Sequence, residues 1–365
     1  MKRINLNLKD YSHPIYIGSG IFSQINSFLE QRNSWKNLFI IVDSNVAKHW
    51  GKLIKKTFEE FNGKKFYLLF NASEKSKSLF GLQKIFSALI ENKFSRDTLL
   101  ISIGGGITGD LAGFAASTFM RGIPIVHVPT TLLSAIDSSV GGKTAVNFKF
   151  YKNIIGSFYQ PEFVLIDYEF LKTLPRREMI SVAGELIKYA FIISKEFYKN
   201  VDESIEPLVN KSFDRIEKTI IECLRFKASV VKFDEKENEL RKILNFGHTF
   251  AHAFERELKN KIRHGEAVIA GVTCALLLSH EKNLIQIEKL KDFLKLPLKL
   301  NLNPHLRTVT AEKIYQNMFA DKKTRNHQLK LVLLRDVGEV VIDVTPTKKE
   351  ILSAVKSGIN LLNFG

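Results

Sequence analysis

Cysteine is nearly missing from this chain of 365 residues: there are two, Cys223 and Cys274, both in apolar stretches that read as helical. Two thiols cannot build a disulfide framework or a cysteine-rich zinc site, and such usage fits a reducing cytoplasm. Long apolar runs are missing too. No window approaches ~18 uninterrupted apolar residues, which excludes a membrane-spanning helix. Met1 to Leu8 alternates as a strand does and lacks the apolar core of a secretory signal. There is no internal repeat and no low-complexity tract, so solenoid architectures are excluded.

Charge of one sign, by contrast, is abundant. Lys and Arg total 54 against 38 Asp and Glu, a formal net charge of +16, within an otherwise ordinary globular composition. Such a surplus suggests an anionic partner: nucleic acid, an anionic membrane surface or a small acidic substrate. A nucleic-acid face would need clustered basic residues with interleaved aromatics. Here lysines are spread over the whole chain with acids among them, so a small anion is favoured, with no nucleic acid and no membrane as partner.

The first half alternates bare apolar runs with helical periods. Leu38 to Val42, Phe66 to Phe70, Thr98 to Ile103, Ile123 to Val128 and Phe163 to Ile166 read as strands, with helices over Asn45 to Phe61 and Ser78 to Phe94. Apolar strands alternating with helices imply a mostly parallel sheet covered on both faces. From Arg177 to about Lys291 nearly everything carries a helical period. The expectation is an α/β domain over 1–177 followed by a mostly α-helical domain over 178–365. A strand pair at Leu329–Leu334 and Glu339–Val344 and a helix over Lys348–Val355 close the second domain.

Gly104, Gly106 and Gly109 satisfy G-x-G-x-x-G between an expected strand and an expected helix. Such a turn lets backbone N–H groups and a helix N-terminus face a pyrophosphate. The acid that usually follows about 20 residues later is absent. Asp110 sits in the turn and Asp43 ends an earlier strand, and a tight packing turn without ligand is the competing reading.

Three histidines fall together. His248 and His252 are four apart on an expected helix, and His264 opens the next one. Imidazoles with one distant carboxylate form the donor set of an open zinc site, and Glu185, set among apolar residues, is a candidate. Solvated helix histidines are the alternative. Lys143, Lys152, Lys188 and Arg241 each sit in Gly-rich or apolar segments, where a cation either meets an anion or snorkels to water.

Taken together these segments resemble the 3-dehydroquinate synthase family of sugar phosphate cyclases. The resemblance is carried by Gly104–Asp110, Pro129–Leu133, Asp137–Asn147, Gly184–Ala190, Asn245–Glu255 and His264–Ala267, in order along nearly the whole chain. It implies a nucleotide-binding α/β domain and a helical domain, NAD, and one divalent metal, zinc or another such as cobalt. It implies Glu185, His248 and His264 as metal ligands, which moves His252 from metal to substrate contact or proton relay. The implied NAD site comprises Asp43, Glu74, Lys77, Gly104, Gly105, Gly106, Gly109, Asp110, Thr130, Thr131, Phe170, Leu171, Lys172 and Thr173, with Lys143 and Lys152. Implied substrate contacts are Asp137, Lys143, Lys152, Asn153, Lys188, Lys227, Glu237, Arg241, Asn245, His252 and Lys323, with Arg121 acting across a homodimer interface.

The implied substrate is a seven-carbon keto acid phosphate, DAHP. The implied reaction runs through transient oxidation by NAD, phosphate elimination, reduction and intramolecular aldol closure, as a cytoplasmic step of the shikimate pathway. Ser73 and Tyr151 stand where the family usually has Gly, as does Ala251. None of the three removes a chemical group. A cyclase for a sugar phosphate without a carboxylate, such as sedoheptulose 7-phosphate, and a glycerol phosphate dehydrogenase are the competing enzymes.

Overall fold

The computed structural model describes residues 1–7, 11–30, 35–149, 151–233, 240–302, 304–319 and 329–364. Strands are β1 (Lys2–Asn7), β2 (Ser12–Gly18), β3 (Asn37–Asp43), β4 (Lys64–Phe70), β5 (Thr98–Gly104), β6 (Ile125–Pro129), β7 (Lys143–Phe148), β8 (Tyr151–Phe158), β9 (Phe163–Asp167), β10 (Leu331–Asp336) and β11 (Glu339–Val344). Helices are α1 (Ile25–Glu30), α2 (Ser44–Thr57), α3 (Leu79–Glu91), α4 (Gly106–Thr118), α5 (Arg176–Ile192), α6 (Lys195–Val209), α7 (Ile216–Phe233), α8 (His248–Leu258), α9 (His264–Glu281), α10 (Ile287–Leu298), α11 (Ala311–Phe319) and α12 (Lys348–Phe364). None of the described helices is long and apolar enough to cross a membrane. Cys223 and Cys274 are buried and neither is in a disulfide.

The chain forms two compact units: Met1–Leu174 with Ile216–Glu235, and Pro175–Arg215 with Lys236–Gly365. A single cut near 177 therefore misses one helix. α7 leaves the helical stretch around it and packs on β1 and β2 of the first unit.

The first unit is a seven-stranded sheet in the order β1-β2-β9-β6-β5-β3-β4, parallel except for β1 against β2. Alternation along β3 explains why both faces are covered. Leu38, Ile40 and Val42 join a core with Phe22, Phe58 and Phe170, while Phe39 and Ile41 join a second with Leu82, Leu111 and Ala112. Each of the buried Leu, Ile, Val and Phe side chains contributes about 1.5–3 kcal/mol.

The sheet order also decides where a ligand can sit. The chain runs outward from β3 to β4, then returns to place β5 on the other side of β3. Direction reverses between β3 and β5, and their carboxyl ends leave a crevice there. In register, Val42 pairs with Ile103, so Asp43 and Gly104 stand side by side at that crevice.

The second unit is built around α9, buried along almost its whole length because it is apolar on all sides. α5, α8, α10 and α12 pack against it, with the antiparallel β10–β11 pair beside its far end.

Candidate functional site

The first unit gathers its polar residues at the carboxyl ends of β3, β5 and β6. Asp43 caps α2, its Oδ1 accepting from the Asn45 N–H at 2.8 Å, and burial raises its carboxyl. Beside it, the glycine turn leads into α4. A Cβ on Gly104 would lie 2.7 Å from the Thr108 side chain, and one on Gly106 3.0 Å from the Ser138 hydroxyl. Only glycine keeps this turn tight while leaving its backbone open. Thr130 N–H donates to the Gly104 carbonyl at 3.0 Å, and Thr131 shares a hydrogen bond with Ser134 at 2.8 Å. The cleft here is lined by Gly105, Gly109, Asp110, Ser139 and Lys143. Within it, the buried Ser138 and Ser139 hydroxyls have no hydrogen-bond partner among the described residues.

A chain of side-chain bonds joins the implied NAD and substrate residues. Lys77, 6% exposed, lies 2.5 Å from both Asp110 Oδ2 and Asn153 Oδ1. Asn153 N–H donates to Asn147 Oδ1 at 2.9 Å, and Asn147 donates to Glu74 Oε2 at 3.0 Å. The β7–β8 hairpin is thereby tied to the loop before α3. Burial raises the Asp110 carboxyl, and the Lys77 ammonium opposes that rise. Asp137 sits in one π-helical turn, Ser134–Ser138, and Lys227 of α7 reaches both its carboxylate, at 2.6 Å, and its carbonyl. Lys143, Lys152 and Asn153 lie on the exposed hairpin, and Arg121 is exposed beyond the end of α4.

The Phe170–Thr173 segment behaves otherwise. Phe170 and Leu171 are buried, with Phe170 packed on Phe22 and Trp50. Lys172 pairs with Glu169 at 2.7 Å, and Thr173 accepts from the Trp50 indole at 3.0 Å. The carbonyls of its two apolar members are taken as well, Phe170 accepting from the Thr173 hydroxyl at 3.1 Å and Leu171 from the Leu174 N–H at 3.1 Å.

In the second unit three helices meet through glycine. A Cβ on Gly265 would fall 1.4 Å from the Ser181 carbonyl oxygen, and one on Gly184 2.1 Å from the Gly265 oxygen. α5 and α9 thus touch backbone to backbone. Gly247, at φ 75°, and Gly271 do the same for α8 against α9. This proximity brings Glu185, His248 and His264 together, their ligand atoms all within 4.8 Å of one another. Nε2 of His248 lies 3.2 Å and Nε2 of His264 3.1 Å from Glu185 Oε1.

Glu185 and Lys188, both nearly fully buried, are 2.5 Å apart. Burial pushes the Glu185 carboxyl up, but Lys188 and the imidazoles hold it well below the usual range. Burial and the Lys188 charge lower His248. Burial would also lower His264, yet the Glu185 and Glu255 carboxylates lift it to about 10. His252 is not in that group of converging ligand atoms, although its ring centroid is 5.7 Å from that of His248, about the 5.6 Å that separates His248 from His264, and 6.4 Å from that of His264. Arg241 is buried and Asn245 ends the 3-10 turn Leu240–Asn245 nearby in sequence. Glu237 and Lys323 lie outside the described residues. One residue escaped the sequence reading: Glu255, seven after His248 and so on the same helical face, whose Oε2 lies 3.4 Å from His264 Nδ1.

The chain matches the family model of the 3-dehydroquinate synthase N-terminal domain over residues 67–181 and that of the C-terminal domain over 182–324. The 3-dehydroquinate synthase of Pelagibacter ubique is 41% identical over 96% of each chain. That of Coxiella burnetii is 36% identical over 98% of this chain and 99% of its own length. Among solved structures, a 2-deoxy-scyllo-inosose synthase complexed with carbaglucose-6-phosphate, NAD+ and Co2+ matches with a TM-score of 0.88 and 26% identity, covering 98% of this chain and 99% of that one. Sequence, fold and site agree across both units: this chain belongs to the 3-dehydroquinate synthase family.

Proposed function

We propose that this chain converts DAHP to 3-dehydroquinate and phosphate, a phosphate-eliminating cyclisation in the shikimate route to aromatic amino acids, with NAD and a divalent metal. The observation that carries the reading is the match to relatives of that activity along the length of both units, at up to 41% identity. The donor chemistry agrees. One buried carboxylate and two imidazoles form an N2O set suited to zinc or cobalt, three donors of the kind found in sites that keep a fourth position for an exchangeable ligand. The glycine turn at the switch point, with two serine hydroxyls beside it that have no partner among the described residues, suits a dinucleotide.

When bound, NAD supplies a hydride acceptor that gives the hydride back within one turnover, and the metal supplies Lewis acidity. The remaining work falls to side chains of this chain. Asp43, Glu74, Lys77, Asp110, Thr130 and Thr131, with the glycine turn and the Phe170–Thr173 segment, hold the dinucleotide. Lys143, Lys152, Arg241 and Lys323 neutralise the carboxylate and phosphate of the substrate. Asp137, Asn153, Lys188, Lys227, Glu237 and Asn245 orient its hydroxyls, and His252 relays a proton. The enzyme works as a cytoplasmic homodimer in which Arg121 reaches the substrate phosphate held by the second copy; two buried cysteines outside any disulfide are in keeping with a reducing compartment.

Substrate choice tests this. DAHP, sedoheptulose 7-phosphate and glucose 6-phosphate are each supplied with NAD and zinc, and phosphate release is measured. Release from DAHP alone is expected. Release from either sugar phosphate with none from DAHP overturns the assignment in favour of a sister cyclase.

A further inference from the structure

The two imidazoles at the candidate metal centre are held from behind by different groups. His248 turns its Nδ1 to the Phe246 carbonyl at 3.4 Å, an acceptor on its own chain segment. His264 turns its Nδ1 to a carboxylate, Glu255 Oε2, also at 3.4 Å. The histidines differ in confinement. The His248 side chain is 15% exposed, whereas His264, the first residue of α9, is 32% exposed and has less packing to stop ring rotation. Glu255 is only 13% exposed, fixed on α8 on the face that carries His248. α8 therefore carries both His248 and the carboxylate beside His264.

We propose that Glu255 is a positioning residue that locks the His264 ring and tautomer, keeping its Nε2 lone pair directed at the metal. The inference rests on the reading that Glu185, His248 and His264 hold a divalent ion. A carboxylate behind an imidazole takes the Nδ1 proton in a hydrogen bond, leaves Nε2 as donor and strengthens it as a ligand. A more exposed histidine at a helix start has the greater need of it. Glu257, two residues further on, provides a natural control: it faces Lys313 at 3.3 Å and Asn317 at 3.0 Å instead.

The test measures zinc affinity of the whole chain by competition with a chromophoric chelator, with the visible spectrum of the Co2+-loaded protein as a second readout. Wild type is compared with Glu255→Gln, Glu255→Ala, Glu257→Gln and His264→Ala. Glu255→Gln, which keeps shape and loses charge, is expected to weaken zinc about tenfold, and Glu255→Ala up to about 100-fold. The Co2+ spectrum of Glu255→Gln shifts, while Glu257→Gln matches wild type. Should Glu255→Ala fail to fold, Glu255→Gln alone decides. Zinc affinity within about twofold of wild type in Glu255→Gln, with an unchanged Co2+ spectrum, overturns the proposal. Wild type binding zinc no better than His264→Ala overturns instead the metal reading beneath it.

Discussion

The two units bring functional groups together by different means. In the second, convergence is set by the main chain: glycines let α5, α8 and α9 approach until backbone touches backbone, and Glu185, His248 and His264 follow. In the first, the strands fix only Asp43 and the glycine turn. The rest is carried by a chain of hydrogen bonds and an ion pair, Glu74–Asn147–Asn153–Lys77–Asp110, that runs over a loop and an exposed hairpin to the first turns of α4. A helix-borne site should thus fail all at once, and a loop-borne site should loosen by degrees.

Gly265→Ala attacks the helical site most directly. Its new methyl would overlap a backbone oxygen that has no flexible end to yield, so a loss of about 5 kcal/mol or more is expected. Thermal unfolding and zinc content check this together: both should collapse, and a stable, zinc-loaded variant would show that the contact is not what sets the site.

Glu185→Gln comes next. It leaves Lys188 buried without the carboxylate 2.5 Å away, a cost of about 3–5 kcal/mol, and removes one metal donor. Denaturant unfolding and metal analysis are the measurements, with Lys188→Met in the same background expected to restore part of the stability but none of the metal.

His127 probes the first unit. Burial lowers its imidazole from 6.5 to about 4, so the folded protein keeps it neutral where the unfolded chain would bind a proton. Stability from this residue is present above pH 6.5 and is lost as pH falls through that window, at about 1.4 kcal/mol per pH unit. His127→Gln should flatten the stability profile between pH 6.5 and 4; a profile as steep as wild type would assign the acid sensitivity elsewhere.

Lys77→Met should give the mildest effect and the sharpest contrast. It breaks that chain between Asn153 and Asp110, and NAD affinity measured by calorimetry is expected to fall about tenfold. Zinc content should not change. Loss of zinc from this variant would mean that the two sites are not built independently.

What could be read from sequence follows the same division. β3, β5, β6 and β9 are buried on both faces, so they appear as bare apolar runs. β2 was not foreseen, because Ser12, His13 and Pro14 open it. Nor was the β7–β8 hairpin, whose second strand is largely exposed and carries no core pattern. Periodicity marks α7 as a helix but cannot say which unit it joins. The missing acid of the glycine motif is explained by topology: the turn follows the later strand β5, and its acidic neighbour ends β3, earlier in the chain. Glu255 shares a face with His248, but its partner His264 begins another helix, and only the α8–α9 contact reveals the pair.

The central claim, that NAD and a divalent metal serve a phosphate-eliminating cyclisation here, is tested most directly by phosphate release from DAHP with NAD, before and after chelation. The account predicts phosphate and 3-dehydroquinate in equal amounts, no net NADH, loss of both products on chelation and their return with added Zn2+. Steady NADH accumulation, or undiminished turnover in chelator, would contradict it.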